Sequence, residues 1–154
     1  MTTPTIYATG EGVNSFLNAP SGVSDGVRLV TRSAVVADSA SSGTIYGMIP
    51  FTKGAQICPG SLTLTTSAID TATLITLDIG YVYESPDTTN SISDPNAFVD
   101  ASTAGRAAAV VNYSAVAGAT FVAGSNGWIT VTTGGGSVTT AGTFDMSVML
   151  SYQS

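Results

Sequence analysis

Between Phe144 and Tyr152 every second residue is apolar: Phe144, Met146, Val148, Leu150 and Tyr152 alternate with Asp145, Ser147 and Ser151, and only Met149 departs from the rule. A repeat of two belongs to a pleated strand, which sends successive side chains to opposite faces; a helix repeats at 3.6 residues and cannot use it. The same alternation sets Leu62 and Leu64 among Ser61, Thr63 and Thr65. It recurs from Thr73 to Tyr83, where Ile75, Leu77, Ile79, Tyr81 and Tyr83 share one face. Further strands are expected from Val27 to Arg32, Thr44 to Ile49, Ala107 to Tyr113 and Trp128 to Thr133. The best helical candidate is a single turn from Pro95 to Asp100, with Asp94 as its cap and Pro95 at its first position.

Strands separated by Gly, Ser and Asn turns, with no helices between them, predict an all-β chain: an antiparallel β-sandwich or jelly-roll-like single domain. The domain is expected over 26–154. Residues 1–25 carry turn formers every few positions (Pro4, Gly10, Gly12, Asn14, Asn18, Pro20, Gly22) and read as an extended N-terminal arm. Apolar residues within that arm, Ile6, Tyr7, Phe16, Leu17 and Val23, either cover the domain's own surface or dock onto a neighbouring chain. Ile6, Tyr7, Phe16 and Leu17 are the candidate contact residues.

Composition narrows the function. The 154 residues include no His and one Cys, and 9% are charged. Without a histidine or a second cysteine, the usual zinc sites and the Ser-His and Cys-His nucleophile systems are excluded by count. Carboxylate chemistry is the only credible enzymatic route, and no pair of acids is singled out for it. The chain is therefore read as non-enzymatic and without a cofactor. A net charge of −6, with Arg28, Arg32, Lys53 and Arg106 forming no run, argues against nucleic acid as a partner. No apolar run approaches the ~20 residues of a spanning helix, so no membrane partner is expected. The start, Met1-Thr2-Thr3-Pro4, has no secretory pattern, which suggests a protein made and used without export. Cys58 has no partner for an intramolecular disulfide and reads as a small buried hydrophobe.

Several other residues carry two readings each. Asp94, Asn96 and Asp100, with Asp87 nearby, could suit a hard cation, but they lack the spacing of a calcium loop and read as caps and turn formers. Asp78 interrupts an apolar strand; facing outward it is ordinary, and facing inward it should pair with Arg28 or Arg106. Gly134-Gly135-Gly136 reads as a tight reversal rather than a phosphate loop. Asn112-Tyr113-Ser114 matches the glycosylation acceptor pattern, which means little without export. Trp128 is expected in the core, the alternative being an exposed aromatic in a carbohydrate groove.

From about Gly26 onward the chain resembles the small capsid decoration (cement) proteins of tailed bacteriophages. The resemblance rests on an apolar strand before Lys53-Gly54-Ala55-Gln56-Ile57, then Gly60-Ser61-Leu62-Thr63-Leu64 and a strand ending Leu77-Asp78-Ile79-Gly80-Tyr81. It continues through Asp94-Pro95-Asn96-Ala97-Phe98-Val99-Asp100-Ala101-Ser102 into Ala104-Gly105-Arg106, and closes on a Gly-rich β segment ending at Tyr152. It implies a sandwich subunit, often a homotrimer, made in the host cytoplasm and seated on the outer surface of a virion head, where it clamps neighbouring major capsid proteins. Two other readings stand beside it. One is a receptor- or carbohydrate-binding module of a head fibre or tail tip, using Trp128, Tyr81 or Tyr83; the other is a major structural subunit that assembles alone.

Overall fold

A computed structural model describes residues 6–7, 27–85, 92–113 and 121–152. In chain order the strands are β1 (Ile6–Tyr7), β2 (Val27–Val36), β3 (Ile45–Phe51), β4 (Ala55–Ile57), β5 (Leu62–Thr66) and β6 (Thr76–Tyr83). They continue as β7 (Asp94–Ser102), β8 (Ala109–Tyr113), β9 (Gly127–Gly134) and β10 (Gly142–Tyr152), with a short 3-10 turn at Ala104–Arg106. Two sheets result, sheet A in the order β1-β3-β9-β6-β7 and sheet B in the order β2-β10-β5-β8, with β4 also paired to β10. Apart from the parallel β1–β3 contact, the strand pairings are antiparallel. The expected β-sandwich is present.

The alternations seen in the sequence supply the core between the sheets. Leu62 and Leu64 of β5, Leu77 and Ile79 of β6, Ile129 and Val131 of β9, and Phe144, Met146, Val148 and Leu150 of β10 are all buried. In β3 the register with β9 shifts between Gly47 and Ile49, and this bulge lets Tyr46, Met48, Ile49 and Phe51 all join the core. Tyr46 meets Phe144 edge to face, ring centroids 5.2 Å apart.

Three expectations need correcting. The predicted helical turn after Asp94 is strand β7, paired with β6 through two register shifts: Ile79 lies opposite Val99, and Tyr81 opposite Asp94. A single residue of β6, Gly80, therefore faces a four-residue bulge. A Cβ on Gly80 would collide with the carbonyl groups of Asp94 and Pro95, so only glycine lets β7 fold over β6 here. Trp128 does not join the core cluster; it is half-buried in β9, between the buried neighbours Gly127 and Ile129. Cys58 is half-buried rather than buried.

The strand expected from Thr73 starts only at Thr76, because Asp70 holds the preceding residues. Asp70 is 2% exposed. Its Oδ1 accepts the Ala72 N–H at 2.7 Å, and its Oδ2 accepts those of Leu74 and Ile75 at 2.6 Å. Thr73, at φ 60, is forced into the left-handed region, a costly place for a β-branched residue unless its surroundings hold it. The Ile75 N–H foremost, then those of Ala72 and Leu74 with the Thr139 hydroxyl, outweigh the opposing effect of burial and lower the Asp70 pKa below its ordinary 3.8. A group whose pKa is lower in the folded state adds stability above its unfolded pKa and loses it as pH falls through the folded value. Replacing Asp70→Asn should lower Tm at pH 7 by roughly 5–10 °C, since amides that met a carboxylate lose their acceptor. Scanning calorimetry from pH 7 to pH 2 should show the gap between wild type and variant closing below the ordinary carboxylate range; a constant gap would count against this role.

Candidate interaction surface

The two sheets differ in how their outer faces are covered. In sheet A, Thr130 alternates with the core residues Ile129 and Val131, and Val82 with Tyr81 and Tyr83, yet Thr130 and Val82 are fully buried. At these positions the outer face of sheet A is covered, while Asp78, Trp128 and Thr132 on the same face are half-buried. In sheet B, the residues that alternate with the core are open: Thr143, Asp145 and Met149 of β10, Thr65 of β5, and Val110 of β8 are exposed.

Register assembles this open face row by row. β10 sets Val35 beside Thr143, Ser33 beside Asp145, Thr31 beside Ser147, Leu29 beside Met149 and Val27 beside Ser151. Short polar side chains tie the middle rows. Ser33 donates to Asp145, Thr31 and Ser147 share a hydroxyl bond of 3.0 Å, and the Thr63 hydroxyl donates to Asn112 Oδ1 at 3.3 Å. The result is a surface of Ser, Thr, Asn and Asp side chains tied to one another by hydrogen bonds.

At one end the face turns apolar. Leu29 is 64% exposed, Val27 57% and Met149 40%, and Val35 at the far end of β2 is 71% exposed. Of the even positions of β2, on the core side, Arg28 is exposed, Val30 and Arg32 are half-buried, and Ala34 and Val36 are buried. The first half of β2 is thus mixed: Val27 and Leu29 face water, while its core side carries Arg28 and Arg32 with Val30 between them packed against the core. Because a strand repeats at two, a one-residue slip against β10 would reverse this, so the paired hydroxyls that hold register also hold the apolar side chains outward. An exposed apolar stripe with a polar surround is a mark of an interaction surface.

The residues singled out in the sequence fall elsewhere. Ile6 and Tyr7 form β1, lying in register with Tyr46 and Gly47 on the edge of the chain's own sheet A. Phe16 and Leu17 lie outside the described residues, as do Asp87 and Ser114. Asp94, Asn96 and Asp100 are spread along β7, and Asp94 Oδ1 accepts the Asn96 N–H at 3.4 Å. Among the described residues no three of His, Cys, Asp and Glu gather as a metal set. Asp78 pairs with neither arginine; its Oδ1 accepts the N–H of Ala101, whose φ of 51 marks the second irregularity of β7. Arg106 instead donates to the Ile75 and Leu74 carbonyls, at 2.9 and 3.4 Å, steadying the loop that Asp70 holds.

Gly134-Gly135-Gly136 is a tight reversal, with Gly135 at φ 72 and the Gly136 N–H donating to the Gly134 carbonyl at 2.8 Å. Tyr81 and Tyr83 do not form an open platform. Tyr83 is buried, with its hydroxyl accepting the Gly124 N–H at 3.1 Å. Tyr81 packs against Phe121 and Phe98, at centroid separations of 4.7 and 5.9 Å.

Sequence reasoning recognised β2 as a strand but not the direction in which it faces. The available signal was the juxtaposition of Val27 and Leu29 with Arg28 and Arg32, an alternation whose charged set has no solvent-side reading until the β10 register is known.

No family model matches the chain, and no curated protein matches it in sequence. Solved structures do share its fold. A chain in the capsid of Ralstonia phage GP4 superposes with a TM-score of 0.64 at 22% identity, over 87% of this chain and 88% of that one. A chain in the capsid asymmetric unit of cyanophage Pam1 superposes with a TM-score of 0.60 at 17% identity, over 86% and 89%. At these identities the likeness is one of fold.

Proposed function

We propose that the chain is a non-enzymatic structural protein of a phage virion, and specifically a capsid decoration or cement protein that binds the outside of a head and clamps neighbouring major capsid proteins. The observation that carries the reading is the shared fold with chains of two phage capsids, which spans nearly the whole of each partner. Fold alone does not decide function, and two further features support it. One is the lack of histidine and of a second cysteine. The other is the open face of sheet B, with its apolar end, more exposed than the outer face of sheet A.

The work such a protein does is linkage. A subunit that binds the expanded shell and not its precursor stabilises it by RT ln(1 + [L]/Kd), about 2.7 kcal/mol per site at a hundredfold excess over Kd. A homotrimer would add avidity, since three linked contacts engage one shell together. The arm would extend that reach through Phe16 and Leu17, with Ile6 and Tyr7, tied to the edge of sheet A, adding contacts where the arm leaves the domain.

Purified chain mixed with expanded heads of its own phage, stripped of it, should sediment with them and raise the temperature at which they disrupt. Cryo-electron microscopy should place its density on the outer surface. Chain that stays in the supernatant at micromolar concentration overturns the reading.

A further inference from the structure

The link between β5 and β6 holds one large apolar side chain outward. Ile69 and Ile75 are fully buried, and between them Thr71, Ala72, Thr73 and Leu74 are exposed, Leu74 at 61%. The backbone of this loop is pinned from three sides. Beneath it, Asp70 accepts the N–H groups of Ala72, Leu74 and Ile75, and the Thr139 hydroxyl accepts that of Thr71 at 2.8 Å. Arg106 donates to the carbonyls of Leu74 and Ile75. Alongside runs the Gly134-Gly135-Gly136 reversal: a Cβ on Gly135 would collide with the Leu74 carbonyl, and one on Gly136 would lie 3.2 Å from the Leu74 Cβ. Within this frame Thr73 keeps its left-handed φ of 60. Backbone strain that the surroundings over-determine points to a place where exact position matters, and here the position being set is that of Leu74. A side chain ordered in advance loses little freedom when it is covered.

The charge around Leu74 restricts what covers it. Residues 67–75 include one charged side chain, Asp70, which is buried, and residues 134–141 include none. The chain as a whole carries −6, so copies of it repel one another unless they meet where acids are absent from the surface. Closed rotational symmetry brings the same side chain of every copy together on the axis. A protruding leucine therefore needs no prepared pocket there, because its equivalents in the other copies supply the apolar surface. The small side chains of Thr71, Ala72 and Thr73 allow the loops to approach closely.

We propose that the 71–74 loop is a contact between copies of this chain, with Leu74 of each copy packed against its equivalents about a symmetry axis. Asp70, Arg106 and the glycine reversal act as positioning groups for that contact. The inference gives the homotrimer of the proposed function a place where its copies meet, and it rests on that reading for the number three alone.

Sedimentation velocity of the full chain, from micromolar to millimolar concentration, should show a closed oligomer forming. Leu74→Gln, close in size and confirmed as folded by circular dichroism, should weaken association roughly tenfold or more, whereas Leu74→Met should stay within about threefold of wild type. Thr73→Gly takes a positive φ without strain, so the dilute variant should melt no lower than wild type. Its association should nonetheless weaken by about threefold or more, because the freed loop must be ordered on contact. Those two changes separate the presentation of Leu74 from any part the loop plays in folding. Wild-type chain that stays monomeric at millimolar concentration overturns the inference. So does an oligomer that Leu74→Gln leaves intact, which would put the contact elsewhere, and so does Thr73→Gly that associates as tightly as wild type. A monomeric chain that still binds heads would overturn the inference and leave the virion function standing, whereas an oligomer that depends on Leu74 yet stays off heads would count against the function alone.

Discussion

Replacing Phe144→Ala is expected to cost about 3–5 kcal/mol of folding stability, because its ring is fully buried near the start of β10 and the surrounding core closes only partly over the space left behind. Domains of this size have about 5–15 kcal/mol in hand, so the loss is roughly a fifth or more of the total. The site is unfavourable for relaxation. Phe144 lies on the strand that joins β2 and β5, and its ring is the edge partner of Tyr46 across the sandwich. Urea denaturation followed by Trp128 fluorescence should show the midpoint falling with an unchanged m-value. Phe144→Leu, which retains most of the volume, should cost ~1.5 kcal/mol or less. Equal losses for the two variants would show that the ring is not packed as described.

Gly80→Ala should be the most damaging single-methyl addition outside the core. The new Cβ has no free volume, since it points at backbone carbonyls of Asp94 and Pro95 rather than at a side chain that can swing away. β7 must lift from β6, and Phe98 with it, separating a ring that packs 5.5 Å from Phe121 and 5.9 Å from Tyr81. A loss of about 2–3 kcal/mol is expected, the upper range for overpacking. Hydrogen exchange should localise it: amides of β7 should exchange faster while those of β10 keep their protection in proportion to global stability. If exchange in β7 is unchanged, the bulge is not held by contact with Gly80.

These variants also divide what can be read from the chain from what cannot. β5 and β10 were legible because each buries one face, and burial leaves a repeat of two in Leu62 and Leu64, and Phe144 to Leu150. β7 was not legible. Asp94, Pro95 and Asn96 are turn formers in isolation, and only the glycine opposite them, far away in sequence, makes room for a bulged strand. Asp70 left no signal either, because its role depends on three amides that return to it through a strained Thr73. The facing of β2 is the most telling case. Its residues alternate plainly, but which set is turned to solvent is decided by β10, more than a hundred residues later.

That same separation has a consequence for how the molecule comes into being. β10 is the hub of sheet B, pairing with β2, β4 and β5. Until it has been synthesised, β2 lacks the one strand it pairs with among the described residues, and closing the span from Val27 to Ser151 imposes one of the largest loop entropies the chain can present. A ribosome making this protein therefore holds an apolar, unpaired strand through most of translation. Although β5 and β8 can pair earlier, β2 joins sheet B only when β10 emerges, so any delay there lengthens exposure of β2 to other chains.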